Sequence, residues 1–276
     1  MLKVPKSNSA LQDALHHIRP VLAPEAIVVS AGMDKHLAKS VTDTLEEVIG
    51  PTKRCRATKR ARHLVSEFDA ALDVGLNPWP LSWRAHGATL VNHGGGFSPT
   101  KLDIGTGFLL NNVADFCELV EPGGDTLRMV DLGCGNGVIG LRVAQDAIGR
   151  GQPVSVTAID DSALAIAATT ASWVQTGLDD SASIVTAHEH RMTSVIDPES
   201  VDLVVVNPPF HEDHTISDDT AWSMFVAARG VLVPGGALVV VGNRHLAYHA
   251  KLAKIFGGTE VLASNKKFVA HLARRS

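Results

Sequence analysis

Val201-Asp202-Leu203-Val204-Val205-Val206-Asn207-Pro208-Pro209-Phe210 is the stretch on which the fold turns. Its aliphatic run is nearly continuous, the pattern of a strand buried on both faces of a parallel sheet. Two prolines cannot extend a hydrogen-bonded ladder, so they end the strand and stiffen the loop at its carboxyl end. That loop sets an amide beside an aromatic ring. An amide oxygen and a proline carbonyl accept hydrogen bonds from an exocyclic amine, and a ring stacks on a flat base. Residues 207–210 therefore point to chemistry on a planar amino group.

Outward from this strand, helices and strands alternate from about residue 100 onward. The pattern predicts a helix containing Phe108, Leu109, Val113 and Phe116, then strands at 128–131, 154–159 and 183–186 before the one ending at Val206. Ser162 stands as the N-cap of a helix running to about Gln175. Beyond the prolines come a helix over 222–231, with Trp222 read as core, and Pro234-Gly-Gly236 as a turn into a strand at 237–241. A helix over 246–256 and strands at 260–264 and 268–272 complete the pattern. This order predicts an α/β, doubly wound, mostly parallel sheet. Ligands in such sheets bind beyond the carboxyl ends of the strands.

The first strand of this series ends in Asp131-Leu-Gly133-Cys134-Gly135-Asn136-Gly137. Its glycines permit a tight turn and close approach of a ligand to the backbone. Gly135 to Gly140 also fits G-x-G-x-x-G, with Asp160 about 20 residues on, so a nicotinamide-linked oxidoreductase is an alternative. Asp131 opposes it, since a carboxylate there repels a diphosphate and attracts the ammonium of an amino acid moiety. The Asn-Pro-Pro-Phe loop also has no part in hydride transfer. Asp-x-Gly-x-Gly-x-Gly followed by Asp160 and Asp161 suits S-adenosylmethionine, with Asp160 accepting the ribose hydroxyls.

Composition bounds the rest. The 276 residues are 45% hydrophobic with a net charge of -4, enough for a large domain and a smaller appendage. No apolar run is long enough for a membrane span, and the N-terminus lacks a signal-peptide core. Cys55, Cys117 and Cys134 are scattered and suggest a reducing cytoplasm. The histidines at 188, 190, 211 and 214 offer no convincing ligand set, so no metal is expected. Residues 1–62 hold 11 Lys+Arg against 6 Asp+Glu, whereas the remainder holds 14 against 23. The tract with Lys53, Arg54, Arg56, Lys59, Arg60 and Arg62 suits a polyanion or, alternatively, is a solvated helix face. A domain boundary is expected near 75/76, between a basic N-terminal segment suited to a nucleic acid and a catalytic domain over 76–276.

Asp131-Leu-Gly-Cys-Gly-Asn-Gly137, Asp160 and Asn207-Pro-Pro-Phe-His211 together resemble the class I methyltransferases that modify guanine N2 in ribosomal RNA. Gly96-Phe-Ser-Pro-Thr-Lys-Leu-Asp-Ile-Gly-Thr-Gly107, the segment 211–222 and Val241-Gly-Asn-Arg-His-Leu-Ala-Tyr248 resemble the large-subunit branch in particular. The resemblance implies a seven-stranded Rossmann-like sheet and S-adenosylmethionine held by Asp131, Gly133, Cys134, Gly135, Asn136, Gly137, Asp160, Asp161 and Asn207. It implies catalysis by Asn207, Pro208, Pro209 and Phe210, with His211 and the basic tract against ribosomal RNA or a ribosomal subunit. Family members usually carry a full N-terminal domain, whereas the segment before residue 75 resembles only its tail. In this reading the Asn207 oxygen and Pro208 carbonyl orient the amine, and Phe210 stacks on an unstacked base for about 1–3 kcal/mol. Methylation of adenine N6 or of a protein glutamine, and a non-catalytic RNA-binding module, are the alternatives on the same fold.

Overall fold

The computed structural model describes residues 1–112, 116–178, 180–189, 192–209 and 214–276, with backbone alone over 214–218. Two compact units emerge. Residues 1–81 and 92–100 form one, and residues 82–91 and 101–276 form the other. The division is not a single cut near residue 75, because the chain visits the second unit at 82–91 and returns before leaving for good.

In the first unit, β1 (Leu2–Lys3), β2 (Ile27–Met33), β3 (Thr52–Arg54) and β4 (Ala61–Glu67) form a sheet in the order β1-β2-β4-β3, with helices α1 (Asn8–Ile18) and α2 (Lys39–Val48). Ser7 caps α1 by accepting a hydrogen bond from Ala10 N. Leu11, Leu15, Val28, Val41, Leu45, Ile49 and Leu64 make its core. Arg19 ties the unit together by donating to the carbonyls of Val48, Asp69 and Leu72 at 2.8–2.9 Å. The basic tract is β3, a turn and the start of β4, not a helix face. Its charges hid the strands, since only Leu64 and Ser66 of β4 are buried.

The second unit opens with the β5 (Leu81–Ala85) and β6 (Ala88–Asn92) pair, which shares one residue at each end with the first unit, and helix α3 (Ile104–Asn112). Then follow β7 (Leu127–Leu132), α4 (Val138–Gly149), β8 (Val154–Asp160), α5 (Ala163–Thr176), β9 (Ala182–His188), β10 (Val201–Val206), α6 (His214–Val231), β11 (Leu232–Asn243), α7 (Tyr248–Phe256), β12 (Glu260–Ser264) and β13 (Phe268–Arg274). The seven strands lie in the order β12-β13-β11-β10-β7-β8-β9. β7 to β11 are parallel, and β13 runs antiparallel between β11 and the edge strand β12. All six residues of β10 are buried, as the aliphatic run requires. Sequence order reverses between β7 and β10, so the loops after these two strands meet at the switch point where such sheets take ligands.

Three local expectations change. Helix α3 is described over Ile104–Asn112, and the Asn112 side chain donates to the Phe108 carbonyl at 2.7 Å. Phe116 lies outside that helix, wholly buried, with its N–H on Asp146, and Val113 falls outside the described residues. Pro234-Gly-Gly236 is not a turn before a strand but an irregularity inside β11, where the register to β10 shifts. Exchange of backbone hydrogen bonds between Gly235, Gly236 and Arg275 keeps that strand paired. Trp222 is 39% exposed, because Ala221, Phe225 and Ala228 take the buried face of α6.

Candidate active site

The glycine loop after β7 is shaped by backbone that other residues resist. Gly133, Gly135 and Gly137 have φ of 75°, 58° and 78°. A side chain at Gly137 would meet the Thr169 methyl at 2.8 Å. Thr169 in turn donates to the Gly135 carbonyl at 3.1 Å and to Cys134 Sγ at 3.3 Å, which fixes the loop on α5. The Cys134 thiol is buried, and burial pushes its pKa up, so it serves as packing rather than as a nucleophile. Asn136 Oδ1 accepts from Val138 N at the start of α4.

Two carboxylates hold the ends of this loop. Asp131 is fully buried, and its Oδ2 accepts the Gly140 N–H at 3.0 Å. Burial raises its pKa to about 7, against the lowering pull of that hydrogen bond, and the neighbouring Asp160 adds to the rise. Its Oδ1 is buried with no partner. Asp160 ends β8, where Oδ2 accepts Gly135 N at 3.0 Å and Oδ1 accepts Ser162 N at 2.9 Å. Burial raises its pKa, and the two backbone N–H groups oppose the rise. Asp161 follows, its carbonyl 3.0 Å from the exposed His188 ring.

Across the switch point, β10 delivers Asn207. Its Nδ2 donates to Asp103 Oδ2 at 2.9 Å and to Thr106 Oγ1 at 2.8 Å. Asp103 Oδ2 also accepts Thr106 N at 2.9 Å, so the same carboxylate caps α3. Both protons of the amide are thereby used, and Oδ1 is left buried with no donor. A carboxylate can only accept, so Asp103 dictates which way the amide points. Pro208 is buried and Pro209 exposed, while Phe210 and His211 lie outside the described residues. Asp103 and Thr106 escape a reading of the sequence because they stand some hundred positions from Asn207. Their signals there are an Asp placed before an apolar helix and their place in the family-like segment 96–107.

In the N-terminal unit the basic tract divides in two. Arg62 donates to Asp34 at 2.6 Å and to the Cys55 carbonyl at 2.7 Å. Arg54 donates to Thr42 Oγ1 and the Leu37 carbonyl, both at 3.0 Å. These two hold the unit together. Lys53, Arg56, Lys59 and Arg60 are exposed, and so is Arg54 despite its two hydrogen bonds.

A seven-stranded sheet of this order, with a glycine loop after one central strand and Asn-Pro-Pro after its neighbour, defines a class I methyltransferase. Residues 87–271 match the methyltransferase small domain, and residues 1–70 match the RLMG N-terminal domain. The ribosomal RNA large subunit methyltransferase G of Streptomyces coelicolor is 40% identical over 98% of this chain and 70% of its own length. That of Pseudomonas savastanoi pv. phaseolicola is 38% identical over the whole chain and 70% of its length. The chain belongs to the family of the ribosomal RNA large subunit methyltransferase G. The T. thermophilus 16S rRNA N2 G1207 methyltransferase (RsmC), solved with AdoMet and guanosine, shares the fold at a TM-score of 0.76 and 21% identity. That likeness covers all of this chain and 72% of the other.

Proposed function

We propose that this chain methylates the exocyclic N2 of a guanine in ribosomal RNA, using S-adenosylmethionine. The observation that carries the reading is the Asn207 amide, whose protons are held by Asp103 and Thr106 and whose buried oxygen has no donor. An unpaired buried acceptor costs about 1–3 kcal/mol unless a ligand supplies the missing N–H. An exocyclic amine supplies it.

The loop residues fit the cofactor. Asp131 Oδ1, also without a donor, suits an ammonium. Gly133, Gly135 and Gly137 leave backbone open to close approach, and Asp160 keeps spare acceptor capacity for ribose hydroxyls. When bound, S-adenosylmethionine supplies an electrophilic methyl on a sulfonium. The protein contributes position and charge. The Asn207 oxygen and the Pro208 carbonyl each accept one N–H of the amine. This holds its lone pair out of conjugation with the ring and stabilises the positive charge it acquires. Phe210 and His211 are assigned to the base itself. The excess proton leaves to water, so no strong base is required.

The second unit, residues 82–91 and 101–276, carries the catalysis in this reading, and the exposed Lys53, Arg56, Lys59 and Arg60 bind RNA phosphates. No described helix is long and apolar enough to cross a membrane. The three cysteines, none of them in a disulfide, suit action on ribosomes in a reducing cytoplasm. The test is tritium transfer to ribosomal RNA from cells lacking this protein, followed by nucleoside analysis. Label in N2-methylguanosine is expected. Label in N6-methyladenosine or in protein refutes the assignment.

A further inference from the structure

Asn243 is the last residue of β11, and its Oδ1 is buried with no partner. The residue precedes a single 3₁₀ turn at Arg244–Leu246, yet its side chain makes no capping hydrogen bond there. The backbone around it is held firmly. Arg244 N donates to the Lys267 carbonyl at 2.8 Å, and its guanidinium donates to the Asn265 carbonyl at 2.8 Å. A buried acceptor on a fixed backbone, with no role in capping, is unfavourable until a donor reaches it.

Strand alternation fixes the face on which it stands. Gly242 looks toward α7, since a side chain there would collide with the Tyr248 ring. Asn243 therefore looks to the opposite face, which it shares with its ladder partner Phe268. The Phe268 ring stacks on Phe108 of α3, with 5.8 Å between centroids. Thr106, two residues earlier on α3, holds the Asn207 amide. Both asparagines thus stand on the α3 face, at the carboxyl end of neighbouring strands. The register agrees, because Val206 pairs with Val240, which sets Asn207 level with Val241 and two residues short of Asn243. One strand spacing and two residue rises put their Cα atoms roughly 8 Å apart. His271 Nδ1, another unpartnered acceptor at this edge, pairs through Val240 and faces α7, away from both.

We propose that Asn243 Oδ1 accepts the N1–H of the target guanine and so selects the base whose amine Asn207 orients. The proposal rests on the guanine-N2 reading above. Guanine carries its N1–H beside the amine on one edge. At ordinary hydrogen-bond lengths, acceptors for that N–H and for the far N–H of the amine lie roughly 6–7 Å apart, a span that two side chains rooted roughly 8 Å apart reach by leaning together. Adenine has a lone pair at N1, which sets acceptor against acceptor, and a site built for a donor rejects a base that lacks it. The test places guanine or 2-aminopurine at the methylated position of one RNA, once the tritium assay has mapped that position. 2-Aminopurine keeps the amine and lacks the N1–H. In single turnovers Asn243→Ala should lose about tenfold in kcat/KM on guanine and little on 2-aminopurine. The intrinsic reactivities of the two amines cancel when the variant's ratio is divided by that of the native chain. Tm and S-adenosylmethionine affinity should hold, because the oxygen bonds nothing in the free chain. A base ratio untouched by Asn243→Ala overturns the proposal, and so does an equal loss on both bases. A native chain that labels N2-methylguanosine while giving either of those results keeps its function and loses only this role for Asn243. A native chain that labels no N2-methylguanosine loses the functional reading itself, and this role with it.

Discussion

Asp103→Asn separates orientation of the catalytic amide from its chemistry. In the native site the Asn207 amide has two arrangements related by a half-turn. The observed one places Nδ2 against the Asp103 carboxylate at 2.9 Å and Thr106 Oγ1 at 2.8 Å. The reverse sets oxygen against oxygen and forfeits a charge-assisted hydrogen bond worth about 1.5–3 kcal/mol. At about 1.4 kcal/mol per tenfold, the reversed amide stays below roughly 10%. Asparagine at 103 accepts or donates equally well, so the two arrangements approach parity. It also caps α3 as well as aspartate does, so the fold is retained. The single-turnover rate at saturating RNA and cofactor should fall about twofold to fivefold, from the lower population and the weaker, uncharged bond. Asn207→Ala removes the acceptor itself and should cost about 10²–10³-fold, the scale of deleting one electrostatic stabiliser of the reacting group. Cofactor affinity by calorimetry should barely move in Asp103→Asn. An Asp103→Asn loss as deep as that of Asn207→Ala would refute the positioning role. So would a crystal structure of the variant with the amide unreversed and the rate untouched.

Three further outcomes are expected. Gly137→Ala forces a side chain onto Thr169 at a φ of 78°, so it should lower Tm by the equivalent of about 1–3 kcal/mol and weaken S-adenosylmethionine in calorimetry. Asp131 has a folded pKa raised to about 7 from an ordinary carboxylate value of 3.8, so its burial costs nothing below about pH 4 and progressively more as pH rises through 7. Denaturant melts of Asp131→Asn should lack that decline, which amounts to roughly 4 kcal/mol between the two ends of the window; equal slopes would rule it out. Neutralising Lys53, Arg56, Lys59 and Arg60 should flatten the salt dependence of RNA binding by about 0.7 log units per log unit of salt for each phosphate left without its cation. Neutralising Arg62 should instead loosen the N-terminal unit, seen as faster amide exchange around Asp34 and Cys55, whose side chain and carbonyl it holds.

The amino-acid order alone determined the architecture of the second unit. Strand β10 and residues 237–241 of β11 carry aliphatic runs because both their faces are covered, and that burial writes itself into composition over a few consecutive residues. The glycines at 133, 135 and 137, and the prolines after Asn207, are equally local signals, since each reflects what the backbone at that position can adopt. Strands β3 and β4 escaped such a reading, because a two-layer unit buries only part of each strand and their remaining positions are filled with charge. Three features belonged to tertiary structure alone. Which arginines of the basic tract are engaged by Asp34 and backbone carbonyls, which atoms of Asp131 and His271 lack partners, and what points the Asn207 amide all depend on residues far apart in the chain. Local sequence reports the preference of a residue for its neighbours in order. The Asp103–Thr106–Asn207 clamp arises only when the sheet brings the end of β10 beside the start of α3, and that geometry turns an ordinary loop asparagine into an oriented acceptor.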